Sequence, residues 1–173
     1  NESRYAQRAK YLTTQAKDNA LYYIHNEIGY NFRLNNMQAA MGVAQLECLS
    51  QIKKIKRANY FLYKKEIDKI KGLSLIEVPT YADNNYWMYA LQIDKKRYGR
   101  SRDELIRLFS KEGIEVRPLW YLNHLQRPYR ICQAYKITKA FKMWEETLNL
   151  PCSANLTKRE IDKITGSLQK WKR

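Results

Sequence analysis

The sequence predicts an α+β fold: a long spine helix followed by a small, mainly antiparallel sheet covered by helices. Three observations carry this. Residues 37–71 hold no Pro and no Gly except Gly42, so one helix runs through them. Past Gly72 the helical spacing of apolar residues gives way to loose alternation. Finally, Ser101-Arg102-Asp103-Glu104 and Thr157-Lys158-Arg159-Glu160 carry the Ser/Thr-x-x-Glu pattern that opens helices by reciprocal side-chain bonds to backbone N–H groups.

Taken in order, residues 4–17 place Tyr5, Ala9 and Leu12 at roughly helical spacing. The aromatic stretch 22–33 reads as a loop broken at Gly29, with Tyr22 and Tyr23 as packing residues. Asn35 and Gln38 form a capping box for the long helix, about 50 Å at 1.5 Å per residue. Its first half carries two apolar stripes, Met37, Met41, Ala44 and Cys48 beside Ala39, Val43, Leu46 and Leu49, which predicts burial on more than one side. Its second half alternates Ile52, Ile55, Leu62, Ile67 and Ile70 with lysines and arginines and predicts one solvated face. Strands are expected over 73–78, 86–93 and 114–117, the last stopped by Pro118. A helix from Ser101 ends at Gly113 in the C′ position. Residues 136–148 read as a helix interrupted by Leu150-Pro151, and Thr157 opens a last helix with Ile161, Ile164, Leu168 and Trp171 on one face.

The composition narrows the classes. The 173 residues suffice for a domain with a sizeable core, and no run of eighteen apolar residues reads as a membrane span. The opening residues Asn1-Glu2-Ser3-Arg4-Tyr5 mix charge signs without an apolar core, unlike a signal peptide, and lack Met, so a chain cut from a longer one is expected. Cys48, Cys132 and Cys152 form no CxxC pair, and with His25 and His124 they give no zinc spacing, so no metal and reduced cytosolic thiols are expected. The 32 Lys+Arg against 17 Asp+Glu leave +15, which would attract nucleic acid, an anionic membrane or a phosphorylated substrate. Those charges are spread from Arg4 to Arg173 without an RRM, KH or zinc-finger signature.

The segment Gly29-Tyr30-Asn31-Phe32-Arg33-Leu34-Asn35-Asn36-Met37-Gln38-Ala39-Ala40 resembles a signature of the DegT-type sugar aminotransferases. The likeness continues through residues 42–47 and returns at Glu115-Val116-Arg117-Pro118-Leu119-Trp120, His124-Leu125 and Leu148-Asn149-Leu150-Pro151. Residues 11–17 look closest to members of the bacillosamine and legionaminic-acid pathways. The resemblance implies the aspartate-aminotransferase fold (fold type I), pyridoxal 5'-phosphate as cofactor, and a cytoplasmic homodimer with active sites at the subunit interface. It implies an amino group passed from glutamate to a nucleotide-linked keto-sugar. The family's cofactor-bearing lysine and acidic residue are expected upstream of Asn1, so no catalytic residue is named and this piece alone is expected to be inactive. Residues 1–34 would be the tail of the large cofactor domain with its active-site loop, 35–71 an interdomain helix, and 72–173 a small C-terminal α+β domain.

Within that frame Asn31 and Arg33 are the expected cofactor-phosphate residues. An amide and a guanidinium donate several hydrogen bonds to a dianion, and the helix start beside them offers free N–H groups. His25, Tyr30, Arg117, Trp120 and His124 are the expected substrate contacts: Trp120 could stack on a base or sugar, and His124 could bond a phosphate. The bland alternatives are a turn Asn, a solvated Arg, packed aromatics, a core Trp120 and a surface His124. Met37, Met41 and Val43 read as core or dimer seam. No nucleic acid or membrane partner is expected. The competing functional readings are a basic nucleic-acid-binding module and a non-catalytic aminotransferase-like sensor or scaffold.

Overall fold

A computed structural model describes residues 2–19 and 21–173. The chain forms two compact units, Asn1–Leu49 and Ser50–Arg173.

The first unit begins with helix α1 (Ser3–Thr13). After it Gln15 and Ala16 take positive φ, 75° and 47°, and turn the chain back. Residues 12–16 then pair with residues 30–32: Tyr30 N–H donates to Leu12 at 2.9 Å, Gln15 N–H to Tyr30 at 3.1 Å, and Phe32 N–H to Thr13 at 3.0 Å. Gly29 permits this approach, because a Cβ there would lie 2.3 Å from the Ala16 nitrogen. Asp18 closes the intervening loop by accepting from the Asn26 N–H at 2.8 Å and the Tyr11 hydroxyl at 3.0 Å. The Asn26 bond comes first among the causes that hold the Asp18 carboxyl below the usual aspartate range. Among the described residues of this unit only Ala16 is buried. Tyr22 and Tyr23, expected to pack, are exposed: the unit has no second layer to cover them.

Helix α2 (Asn36–Ile67) starts on the expected capping box, with Gln38 N–H on Asn35 Oδ1 at 2.8 Å and Asn35 N–H on Gln38 Oε1 at 3.1 Å. The two apolar stripes of its first half were expected to be buried. Instead Met37, Met41, Val43, Leu46 and Leu49 are all exposed in this chain, since no element of their own unit lies over them. The second half of α2 does pack, through Tyr60, Tyr63 and Ile67.

The second unit is a four-stranded antiparallel sheet in the order β1-β2-β4-β3. Its strands are β1 (Leu73–Leu75), β2 (Tyr89–Ile93), β3 (Arg117–Pro118) and β4 (Thr147–Leu150). Alternation on β2 sends Tyr89, Leu91 and Ile93 inward. Leu105 and Phe109 of α4 (Arg102–Lys111) and Ile161, Ile164, Leu168 and Trp171 of α6 (Lys158–Trp171) join them, each such side chain contributing about 1.5–3 kcal/mol. Both helices open on the predicted capping boxes, and Gly113 (φ +70°) follows α4 at C′. A short helix α3 (Lys95–Tyr98) follows β2, and α5 (Thr138–Glu146) precedes β4.

Four core tyrosines each donate to a backbone carbonyl, as buried hydroxyls must. Tyr60 reaches Ile76 at 3.0 Å, Tyr63 Pro151 at 3.3 Å, Tyr89 Lys56 at 2.8 Å and Tyr98 Leu168 at 2.7 Å.

Two expectations are corrected. Residues 147–148, read as the end of a helix, belong to β4, a central strand. The strand expected over 114–117 is confined to Arg117–Pro118 and includes the proline that was to stop it. β3 lies at the sheet edge, where the missing N–H of Pro118 costs no ladder bond.

Candidate functional site

In the first unit, Gln15 gathers the predicted residues. Its carbonyl oxygen lies 2.7 Å from His25 Nδ1, its N–H holds Tyr30 O at 3.1 Å, and its side-chain Oε1 lies 3.5 Å from Arg33 Nη2. A carbonyl only accepts, so Nδ1 of His25 carries the proton in this contact. Arg33 Nε donates to Asn31 Oδ1 at 2.9 Å, and Thr14 bridges Asn31 through the backbone. Tyr30 stacks on Phe32, ring centroids 5.4 Å apart and 7° from parallel. The result is an exposed loop with the Asn31 amide NH₂ and the Arg33 guanidinium side by side. The cap on α2 uses the Gln38 N–H, as the capping box predicts, and so takes one of the donors at the helix start.

In the second unit, a cavity of about 970 Å³ opens beside the edge strand, bordered by Arg117, Trp120, Asn149, Cys152, Glu160 and Lys163 among others. Arg117 is held by Glu115, its Nε donating to Glu115 Oε1 at 2.9 Å. Trp120 is 65% exposed rather than core, and its ring lies 5.8 Å from that of Trp87. His124 sits on a 3-10 turn (Asn123–Leu125), half-buried, and does not border the cavity. Arg117 and Trp120 are thus brought together and His124 is not.

A family model described as the DegT/DnrJ/EryC1/StrS aminotransferase family matches residues 1–169. The chain belongs to the DegT/DnrJ/EryC1/StrS aminotransferase family. EpsN of Bacillus subtilis (strain 168), named for a pyridoxal phosphate-dependent aminotransferase, is 30% identical over 186 residues, covering 99% of this chain and 47% of EpsN. The GDP-perosamine synthase of Caulobacter vibrioides is 28% identical over 173 residues, covering 97% of this chain and 45% of that protein. Among solved structures, the aminotransferase TlmJ from Streptoalloteichus hindustanus superposes with a TM-score of 0.82 at 20% identity, covering 99% of this chain and 45% of TlmJ. At that identity the likeness concerns the fold. This DegT-family chain spans about half the length of the curated relatives it matches. No helix among its described residues is long and apolar enough to cross a membrane.

Three residues of these clusters are not among those the sequence singles out. Gln15 acts largely through its backbone, and nothing in a side chain announces that. Trp87 falls in the strand expected over 86–93, whereas β2 begins at Tyr89 and leaves Trp87 exposed. Asn149 lies in the Leu148-Asn149-Leu150-Pro151 match, where a polar residue between two leucines was the available signal.

Proposed function

We propose that this chain is the C-terminal part of a pyridoxal 5'-phosphate-dependent aminotransferase that passes an amino group from glutamate to a nucleotide-linked keto-sugar in surface-glycan biosynthesis. The observation that carries this reading is the Asn31–Arg33 pair in a tethered, exposed loop of a chain with the family's sequence. The donor set fits a phosphate dianion: a neutral amide NH₂ beside a delocalised cation able to bond in a bidentate way. Pyridoxal phosphate, when bound, supplies an electron sink for bond breaking at the amino-bearing carbon.

The chain's own residues would then divide the work. Asn31 and Arg33 hold the cofactor phosphate, and His25 and Tyr30 line the substrate side of the same loop. Arg117, Trp120 and His124 contact the nucleotide-sugar. The exposed apolar side chains of α2, Met37, Met41 and Leu46 among them, serve as the seam of a homodimer. Residues 1–34 are read as the tail of the large cofactor domain, 35–71 as the interdomain helix and 72–173 as the small domain. The inferred substrate is a UDP-4-keto-6-deoxy-N-acetylhexosamine, by the resemblance to bacillosamine and legionaminic-acid enzymes, and the inferred setting is the cytoplasm.

The cofactor-bearing lysine is inferred to lie upstream of Asn1. Borohydride reduction of the pyridoxal-phosphate-loaded complete protein, followed by peptide mass spectrometry, tests this. One dominant labelled lysine outside residues 1–173 is expected; a dominant site within them overturns the assignment. Absence of any dominant site in the complete protein would instead favour a non-catalytic relative.

A further inference from the structure

Two of the chain's four tryptophans stand in solvent. Trp171 is buried and Trp144 packs against Tyr121 and Arg102, whereas Trp87 is 61% and Trp120 65% exposed. An indole left in water forgoes the burial that makes aromatic side chains dominate cores and interfaces, so a contiguous exposed pair signals a contact surface.

The loop before β2 holds Trp87 outward. Asn84 Oδ1 accepts from the Tyr86 N–H at 2.9 Å, and Asn85 Oδ1 accepts from the Trp87 N–H at 3.0 Å. Tyr86 takes φ +52°, a region strained for an aromatic residue, and its ring packs on Tyr60 with centroids 4.9 Å apart. Tyr86 is thus anchored to the core while the next side chain stands free. Trp87 meets Trp120 there, the rings 5.8 Å apart and 39° from parallel. Trp120 and Met88 border the cavity, which puts the pair at its rim.

The surroundings select which part of a ligand suits the pair. A ring sandwiched between the indoles would need about 7 Å, two contacts of roughly 3.5 Å, so a ligand lies on an outer face. A sugar is oriented by directed hydrogen bonds to its hydroxyls. Of the polar side chains bordering the cavity, Arg117 bonds Glu115 at 2.9 Å, and Glu160 accepts from the Thr157 N–H and hydroxyl, both at 2.8 Å. The Asn149 Oδ1 is sealed from solvent. Lys163 offers a point charge, which favours a phosphate over a hydroxyl. What the rim itself presents is flat aromatic surface, on which a nucleobase stacks without any directed bond.

We propose that Trp87 is a further substrate-binding residue, forming with Trp120 a platform on which the nucleobase of the nucleotide-linked substrate stacks. The proposal rests on reading the protein as a nucleotide-sugar enzyme.

The test is calorimetric titration of the complete protein with UDP-N-acetylglucosamine, as a stable stand-in for the keto-sugar, and with UDP, which keeps the base and lacks the sugar. Trp87→Ala is expected to weaken both compounds by the same factor, about tenfold, and Trp87→Tyr, which keeps a stacking ring, to restore most of the affinity. The uracil H5 and H6 resonances of bound UDP should move upfield with the unaltered protein and not with Trp87→Ala, a ring-current signature that a merely structural role for Trp87 would not give. If Trp87→Ala weakens UDP-N-acetylglucosamine alone, the ring holds the sugar and the base assignment is overturned. If it weakens neither, the inference fails while the functional reading stands. Binding of neither compound by the unaltered protein defeats the inference together with the UDP-sugar reading.

Discussion

Arg33 donates its Nε proton to Asn31 Oδ1 at 2.9 Å, which ties the two predicted phosphate residues into one unit. The bond occupies the carbonyl end of the Asn31 amide and leaves its NH₂ to donate.

Removing either partner should therefore disturb both. In the complete, cofactor-loaded protein, Asn31→Ala and Arg33→Ala should each weaken pyridoxal phosphate about tenfold, and the double variant by less than the product. Equilibrium dialysis of the cofactor measures the cycle. Strict additivity would mean that the two residues act separately.

Gly29 lies against backbone, and a Cβ there would come within 2.3 Å of the Ala16 nitrogen and 2.5 Å of the Gln15 carbonyl carbon. Neither atom can move away as a flexible side chain would. Gly29→Ala should destabilise the loop by about 1–3 kcal/mol. Amide exchange should show lost protection at Gln15, Tyr30 and Phe32 while the core around Leu91 keeps its own.

The core tyrosines set an alkaline limit. Burial pushes the phenols of Tyr63, Tyr89 and Tyr98 above the ordinary tyrosine value. Their contribution is intact below the unfolded value near pH ~10 and is lost as pH rises from there toward their folded values. Each ionisation costs about 1.4 kcal/mol of stability per pH unit in that window, so the loss of stability measured by chemical denaturation from pH 9 to 12 should steepen, and less so in Tyr98→Phe. A flat profile would contradict the assigned burial.

At the acid end, the capping box of α6 acts with the opposite sign. Bonds from the Thr157 N–H and hydroxyl, both at 2.8 Å, hold the Glu160 carboxyl below its usual range. That support is present above the unfolded glutamate value, about 4.3, and fades as pH falls through the lowered one. Thr157→Ala should lose about 1 kcal/mol at neutral pH, and Glu160→Gln should flatten the acid limb of a pH–melting curve.

Local chemistry was readable wherever a few adjacent residues decide the structure. The boxes at Asn35, Ser101 and Thr157 each satisfy backbone donors within four residues, and all three form. β4 was not readable: Thr147–Leu150 is four residues long and buried on both faces, so it shows no alternation, and it follows a helical pattern without a break. The apolar stripes of α2 announced a need for cover but could not say what supplies it. The family signature singles out Asn31 and Arg33 as candidates, but the bond that joins them belongs to the folded loop. The unpartnered oxygen of Asn149 depends on register with Arg117 and Ala90, which only the folded sheet reveals.

Nitrogen transfer by the complete protein decides whether it aminates a nucleotide-linked keto-sugar. Incubated with pyridoxal phosphate, ¹⁵N-glutamate and a UDP-4-keto-6-deoxy-N-acetylhexosamine, it is predicted to yield 2-oxoglutarate and a ¹⁵N-labelled amino-sugar nucleotide by mass spectrometry, with the yield sharply reduced by Asn31→Ala. Cofactor-loaded protein that produces no labelled amino sugar from this or a GDP-linked keto-sugar would rule out the proposed transfer.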